Sequence, residues 1–150
     1  MSGSSTSAGT KYFICAAAPA TFDEAGYAAL AWSEVKKVES IPAFGPTADP
    51  VTFQPLDGEE ETHKGAVKNG SIQIPHAVVP TDAGQVILRT AAEPGNNALY
   101  SHKVLFPDGS GSYFQGRVLG APRGAEGANS IRKATATVAI CTRPVDFDGA

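Results

Sequence analysis

The run Leu99-Tyr-Ser-His-Lys-Val-Leu-Phe106, Pro107-Asp108-Gly109, then Ser112-Tyr-Phe-Gln-Gly-Arg-Val-Leu119 decides the fold. Two β-rich segments flank an Asp-Gly pair, and Asp-Gly supplies the backbone angles that let a strand reverse onto itself. A β-hairpin is therefore expected from Leu99 to Leu119. Downstream, Ile131 to Thr142 alternates with Ala134, Ala136, Val138 and Ile140 on one face and Lys133, Thr135, Thr137 and Ala139 on the other, the period of a half-buried strand. Upstream, Ser71 to Val79 alternates around Ile72 and Ile74, Lys11 to Ala18 carries the β-favouring run Tyr12 to Cys15, and Glu34 to Ile41 reads as a strand stopped by Pro42.

One helix interrupts this pattern. Thr81 is a plausible N-cap, Asp82 falls in the first turn, Val86, Ile87 and Leu88 form the apolar side, and Glu93-Pro94-Gly95 ends it. Thr21 to Trp32 reads as a loop with a brief helical turn, weakened by Gly26. Gly45 to Asn69 reads as a long loop between strands, punctuated by Pro46, Pro50 and Pro55 and bearing the acidic run Asp57, Glu59, Glu60, Glu61. Loops this long within a domain usually have a purpose. The fold class is mainly β: an antiparallel β-sandwich or small barrel with one flanking α-helix, a long inter-strand loop and a flexible N-terminal arm. Residues 1–10, with no bulky apolar side chain, form that arm, and 11–150 form a single domain.

Composition narrows the function. The 150 residues are 42% hydrophobic and 18% charged with net charge -3, which suits one folded domain and excludes global disorder. Residues 1–75 carry 5 Lys/Arg and 9 Asp/Glu, against 7 and 6 in residues 76–150, so no concentrated basic face for gripping DNA is evident. No apolar run approaches the ~20 residues that cross a bilayer, and the first ten residues lack a signal pattern. The chain is expected to stay in the cytosol or to leave it only inside an assembly.

Catalytic patterns are missing: there is no phosphate-cradling glycine loop, no paired histidines at metal spacing and no Gly-x-Ser-x-Gly elbow. No enzyme activity, catalytic residue, cofactor or metal is assigned. Cys15 and Cys141 read as small core residues in strands. His63, His76 and His102 lack neighbouring ligand sets and read as surface or interface groups. The acidic run with His63 reads as a solvated, self-repelling face, with a cation site as the alternative.

The order Tyr100-Ser-His-Lys103-Val-Leu-Phe106-Pro107-Asp108-Gly109, Phe114-Gln-Gly116-Arg-Val118-Leu-Gly120, then a Thr/Val-rich strand ending at Arg143-Pro144 resembles the core domain of tail tube (major tail) proteins of long-tailed siphophages. Trp32-Ser33 to Ile41, the Leu56-Asp57-Gly58 loop and the helix around Asp82 to Ala92 follow the family's order. Gene-transfer-agent tails and the tubes of contractile injection systems share this fold family.

The resemblance implies a structural virion protein, built into stacked hexameric rings that form a hollow tail tube for DNA. Its partners would be copies of itself and the tail terminator, tape-measure and distal tail proteins. DNA would pass through the lumen without specific binding, and no membrane would be involved. Assembly in the host cytoplasm and residence in the virion tail follow. Phe44, Asp49, Phe53, Leu56, Asp57, Glu59, Glu60, Glu61 and His63 would form the loop that reaches the adjacent ring. Phe106, Pro107, Asp108, Gly109, Phe114, Gly116 and Val118 would form the hairpin and core motif. Either the hairpin strands or Ser71 to Val79 would line an acidic or neutral channel, which does not trap phosphate. A reading of a different class competes: a small cytosolic ligand- or partner-binding β-barrel adaptor with an acidic cation-binding loop.

Overall fold

The computed structural model describes residues 8–124 and 127–148; most of the expected N-terminal arm lies outside the described residues. Ten strands and two helices follow in order: β1 (Lys11–Cys15), α1 (Glu24–Ala28), β2 (Ser33–Val35), β3 (Thr47–Phe53), β4 (Glu61–Lys68), β5 (Ser71–Ala77), α2 (Ala83–Ala91), β6 (Tyr100–Leu105), β7 (Gly111–Gly120), β8 (Arg123–Gly124), β9 (Lys133–Ile140) and β10 (Val145–Phe147). The principal sheet runs β2-β1-β6-β7-β9-β5, with β10 added to β7 and β8 to β9. All its pairings are antiparallel.

The hairpin β6–β7 forms with His102 opposite Phe114, as its sequence predicts. Its turn is held by Phe106 N–H donating to Ser110 O at 2.8 Å and by Asp108 Oδ1, which accepts from the Ser110 amide at 3.0 Å. Gly109 takes a φ of 93°, the left-handed conformation that glycine adopts without strain. The alternation in β9 also holds: Ala134, Ala136, Val138 and Ile140 are buried. The last three join Tyr12, Ile14, Ile72, Ile74, Val104, Phe114 and Val118 on the inner face, closed off by Leu88 and Ala91 of α2. Gly116 sits where β7 meets β9 tightly, since a Cβ there would lie 2.5 Å from Ala139 O. On the opposite face a smaller cluster forms around Tyr27, Tyr113 and Phe147. The Tyr27 and Tyr113 rings stack there at 5.2 Å, so β10, which the sequence pattern does not reveal, has a core of its own to cover.

Several expectations change. Glu34 to Ile41 is not one strand: Lys37 adopts a φ of 64°, so β2 ends at Val35 and the chain turns toward β5. Val38 then bridges His76, with Glu39 N–H donating to Pro75 O at 2.8 Å and Ala77 N–H to Lys37 O at 2.9 Å. This bridge brings the two edges of the curled sheet together. The helix N-cap is Asp82 and not Thr81, because the Asp82 carboxylate accepts from the Gln85 amide at 3.2 Å and also from Lys36 N–H at 3.1 Å. Val86, expected on the apolar side, faces outward, while the neighbouring Gln85 is buried. The helical turn near Gly26 is a short helix, α1, capped by Asp23.

Two of the three histidines are interior, against the surface reading. His102 is fully buried between the Tyr12 and Phe114 rings. Its Nδ1 accepts from the Tyr12 hydroxyl and its Nε2 faces Gly116 O at 3.4 Å. His76 is likewise buried, with Nδ1 3.1 Å from Ile74 O. The strand pattern places both on the inner face, so the apolar alternation decides their fate over residue type. Cys15 is buried as expected, but Cys141 lies one residue past β9 and is exposed; both are free thiols.

Burial pushes the His102 pKa from 6.5 down to about 4, only partly opposed by the Gly116 carbonyl, and burial lowers that of His76 as well. The unfolded chain therefore takes up protons near pH 6.5 that the folded chain refuses until about pH 4. Stability is complete above that window and is lost as pH falls through it, by about 3 kcal/mol for His102. Asp23 and Asp108, whose hydrogen bonds lower their pKa values, stabilise the fold above the ordinary carboxylate range and lose that contribution only as pH falls below it. Urea unfolding at a series of pH values should show this loss between pH 6.5 and 4, and His102→Gln should flatten it. An unchanged slope in the variant would assign the acid sensitivity elsewhere.

Candidate assembly surfaces

The expected long loop is a two-stranded ribbon. β3 and β4 pair only with each other, Val51 opposite His63 and Phe53 opposite Glu61, with a register shift between Ala48 and Pro50. The prolines disguise it in sequence, but Pro50 sits beside the register shift in a strand with a free edge, where a missing N–H costs nothing. Gln54 Nε2 ties the connecting turn by donating to Gly58 O at 2.8 Å and to Pro55 O at 3.1 Å.

The sequence-predicted loop residues divide along this ribbon. Phe44 belongs to its root: the ring packs 5.4 Å from Phe114 and anchors the segment on the core. Asp49 pairs with Lys68 across the ribbon at 3.4 Å, and Glu61 lies 3.8 Å from His63. Asp57, Glu59 and Glu60 occupy the turn. Phe53 and Leu56 stand in solvent at 59% and 109% relative exposure, with Val51 and Val67 also exposed. Among the described residues no three His, Cys, Asp or Glu side chains converge as a metal site.

The hairpin and core motif residues serve the fold. Phe114 and Val118 are buried in the core and Gly116 is the close approach to β9. Pro107, Asp108 and Gly109 make the turn, while Phe106 is partly exposed and lines a cleft of about 560 Å³ with Val38 and Ile41. Strand β6 and the first six residues of β7 are largely buried on both faces, which removes the hairpin as a bore lining.

The outward face of β5 and β9 differs. Ser71, Gln73, Thr135, Thr137 and Ala139 remain at least partly exposed and carry no charge, with Lys133 at one end of that face and Arg117, opposite Ala139 on β7, at the other. The bridge to Val38 engages only Pro75 and Ala77 on the outer edge of β5. By the antiparallel pattern, the main-chain groups of Ser71 and Gln73 on that edge point away from β9. This half of β5 is an open sheet edge.

Sequence reasoning missed Gln85. Its Oε1 accepts from Val79 N–H and its Nε2 donates to both Lys36 O and Ala77 O, each at 2.8 Å. One side chain thus spans the seam between the end of β2 and the end of β5. A glutamine three residues after a capping Asp was the available signal, but it suggested a surface capping box and not a buried clamp.

No protein-family model and no curated protein sequence matches the chain. Solved structures do. A chain of the anti-feeding prophage (AFP) baseplate superposes with a TM-score of 0.65 at 9% identity, covering 98% of this chain and 97% of that one. A chain of the native gene transfer agent virion gives 0.60 at 13% identity over 77% and 88% of the two chains. The SPP1 tail tube gives 0.60 at 11% identity over 94% and 77%. At these identities the likeness is one of architecture, and the chain carries the tail-tube fold.

Proposed function

We propose that copies of this chain assemble into six-membered rings that stack as a hollow tail tube, through which DNA passes without specific binding. The observation that carries this reading is the ribbon, which on a tail-tube fold projects apolar side chains that the monomer does not cover. A two-stranded hairpin is marginal in water by itself, so β3–β4 calls for a neighbour. The open half-edge of β5 is a second surface that another copy completes, joining sheets around a ring and removing edges that otherwise aggregate.

The outward face of β5 and β9 between Lys133 and Arg117 is the proposed bore lining. Its serine, threonine, glutamine and alanine offer phosphate no cation, while Lys133 is held by Glu39 and Arg117 is tied to Asn97 O, so few counterions are released on contact and the DNA is not held. The role is structural, within a virion tail, alongside terminator, tape-measure and distal tail proteins. Electron microscopy of the purified chain tests the reading: tubes with six-fold cross-sections and a bore faced by Gln73 and Thr137 are expected. A persistent monomer, or a tube with that face buried and a basic bore, would overturn it.

A further inference from the structure

The ribbon leaves the body at the Ser71 end of β5, opposite Ala139 of β9. At the other end of the same strand pair, where Ala77 lies opposite Lys133, the surface is basic. A cleft of about 650 Å³ there is lined by Arg123, Lys133, Asn129 and Ser130. A second of about 360 Å³ adjoins it, sharing Arg123 and adding Arg89. Arg132 is exposed beside them. Among the described residues, the acids at this end are Glu39, paired with Lys133 at 3.1 Å, Asp82, which caps α2 beside Val79, and Glu93, on the second cleft. The cations outnumber them. The Arg123 side chain makes no hydrogen bond or ion pair among the described residues; only its main chain pairs, opposite Ala134 of β9.

The ribbon turn has the opposite character. Asp57, Glu59, Glu60 and Glu61 crowd it, with His63 the sole basic group before Lys64. Seven strand residues separate the two ends, roughly 20 Å. An acidic projection rooted at one end of the body and a basic recess at the other form no ion pair among the described residues of one molecule, but they match between molecules. Such a head-to-tail contact does not close on itself and so extends as a filament.

We infer that the acidic ribbon turn of one copy docks into the paired basic clefts around Arg123 of the next copy, and that this contact sets the axial direction of assembly. The inference deepens the tube reading by naming the receiving surface, and rests on it only for the ring geometry.

Two charge-reversed proteins test it. Glu59→Lys, Glu60→Lys and Glu61→Lys together make both surfaces basic, and Arg123→Glu with Lys133→Glu makes both acidic. Each protein alone should need about a hundredfold higher concentration to associate than the parent. Mixed in equal amounts, they should co-assemble, because each ribbon then meets a cleft of opposite sign, and the mixture should fall apart as salt is raised. Arg123→Glu alone, which removes no side-chain bond among the described residues, keeps the test valid should Lys133→Glu perturb folding; it should show the same defect.

Parent-like association by either reversed protein, or a mixture that stays apart, would overturn the pairing while leaving tubes formed by the parent intact. Charge-dependent strings without a bore would support the pairing and overturn the ring reading. A parent that stays monomeric at every concentration would overturn both.

Discussion

Gln85→Met is expected to destabilise the folded chain by about 3 kcal/mol, although the replacement fills nearly the same space. Methionine keeps the apolar contacts of the buried side chain but deprives Val79 N–H, Lys36 O and Ala77 O of their partner. Part-buried main-chain groups left without a hydrogen bond cost about 1–3 kcal/mol each, less where water reaches them. Against a domain stability of about 5–15 kcal/mol, that loss is large. The effect should also be local. Glu39 and Ala77 amides hold the bridge at the seam, so their hydrogen exchange should accelerate more than that of Val104 in the middle of the sheet. Urea unfolding together with amide exchange checks both parts. A change below about 0.5 kcal/mol, or uniform acceleration throughout the sheet, would show that the sheet edges hold together without the clamp.

What could be read from sequence follows from how local each cause is. The β6–β7 hairpin was legible because Asp108-Gly109 carries its turn chemistry in adjacent residues, and β9 because one face is buried along its whole length. The expected class, a mainly β antiparallel sandwich or small barrel with one flanking helix, rests on those two segments. Gln85 was not legible: its three partners come from the ends of separate strands, and nothing nearby in sequence marks their convergence. The ribbon was obscured for the opposite reason. Its strands bury neither face, so they lack the alternation that marks a strand in a sheet, and their prolines resemble those of a loop. His102 escaped because a polar residue on an apolar face is read by its type until the partner, Tyr12, is placed opposite it. The acidic segment stands out in the sequence, but its form comes only from the pairing of Thr47–Phe53 with Glu61–Lys68.

That form decides what removal of the ribbon should do. Replacing Thr47–Lys68 by a short Gly-Ser linker joins two points that already lie opposite each other, since Thr47 pairs with Lys68. The body loses no strand of its principal sheet, because β3 and β4 bond only to one another. Shortening the excursion between Pro46 and Asn69 changes loop-closure entropy by no more than about 2 kcal/mol, in the stabilising direction. The variant should therefore melt at or slightly above the temperature of the parent. Assembly should respond oppositely. Burying Val51, Phe53, Leu56 and Val67 against a neighbour is worth roughly 1.5–3 kcal/mol for each side chain. Losing even half of that sum weakens association by about a thousandfold. The expected product is a folded species that sediments as a monomer or a single ring and never elongates. Elongated tubes from a folded variant lacking the ribbon would place the axial contact elsewhere on the body, whereas an unfolded variant would mean that the ribbon supports its own chain and not the next one.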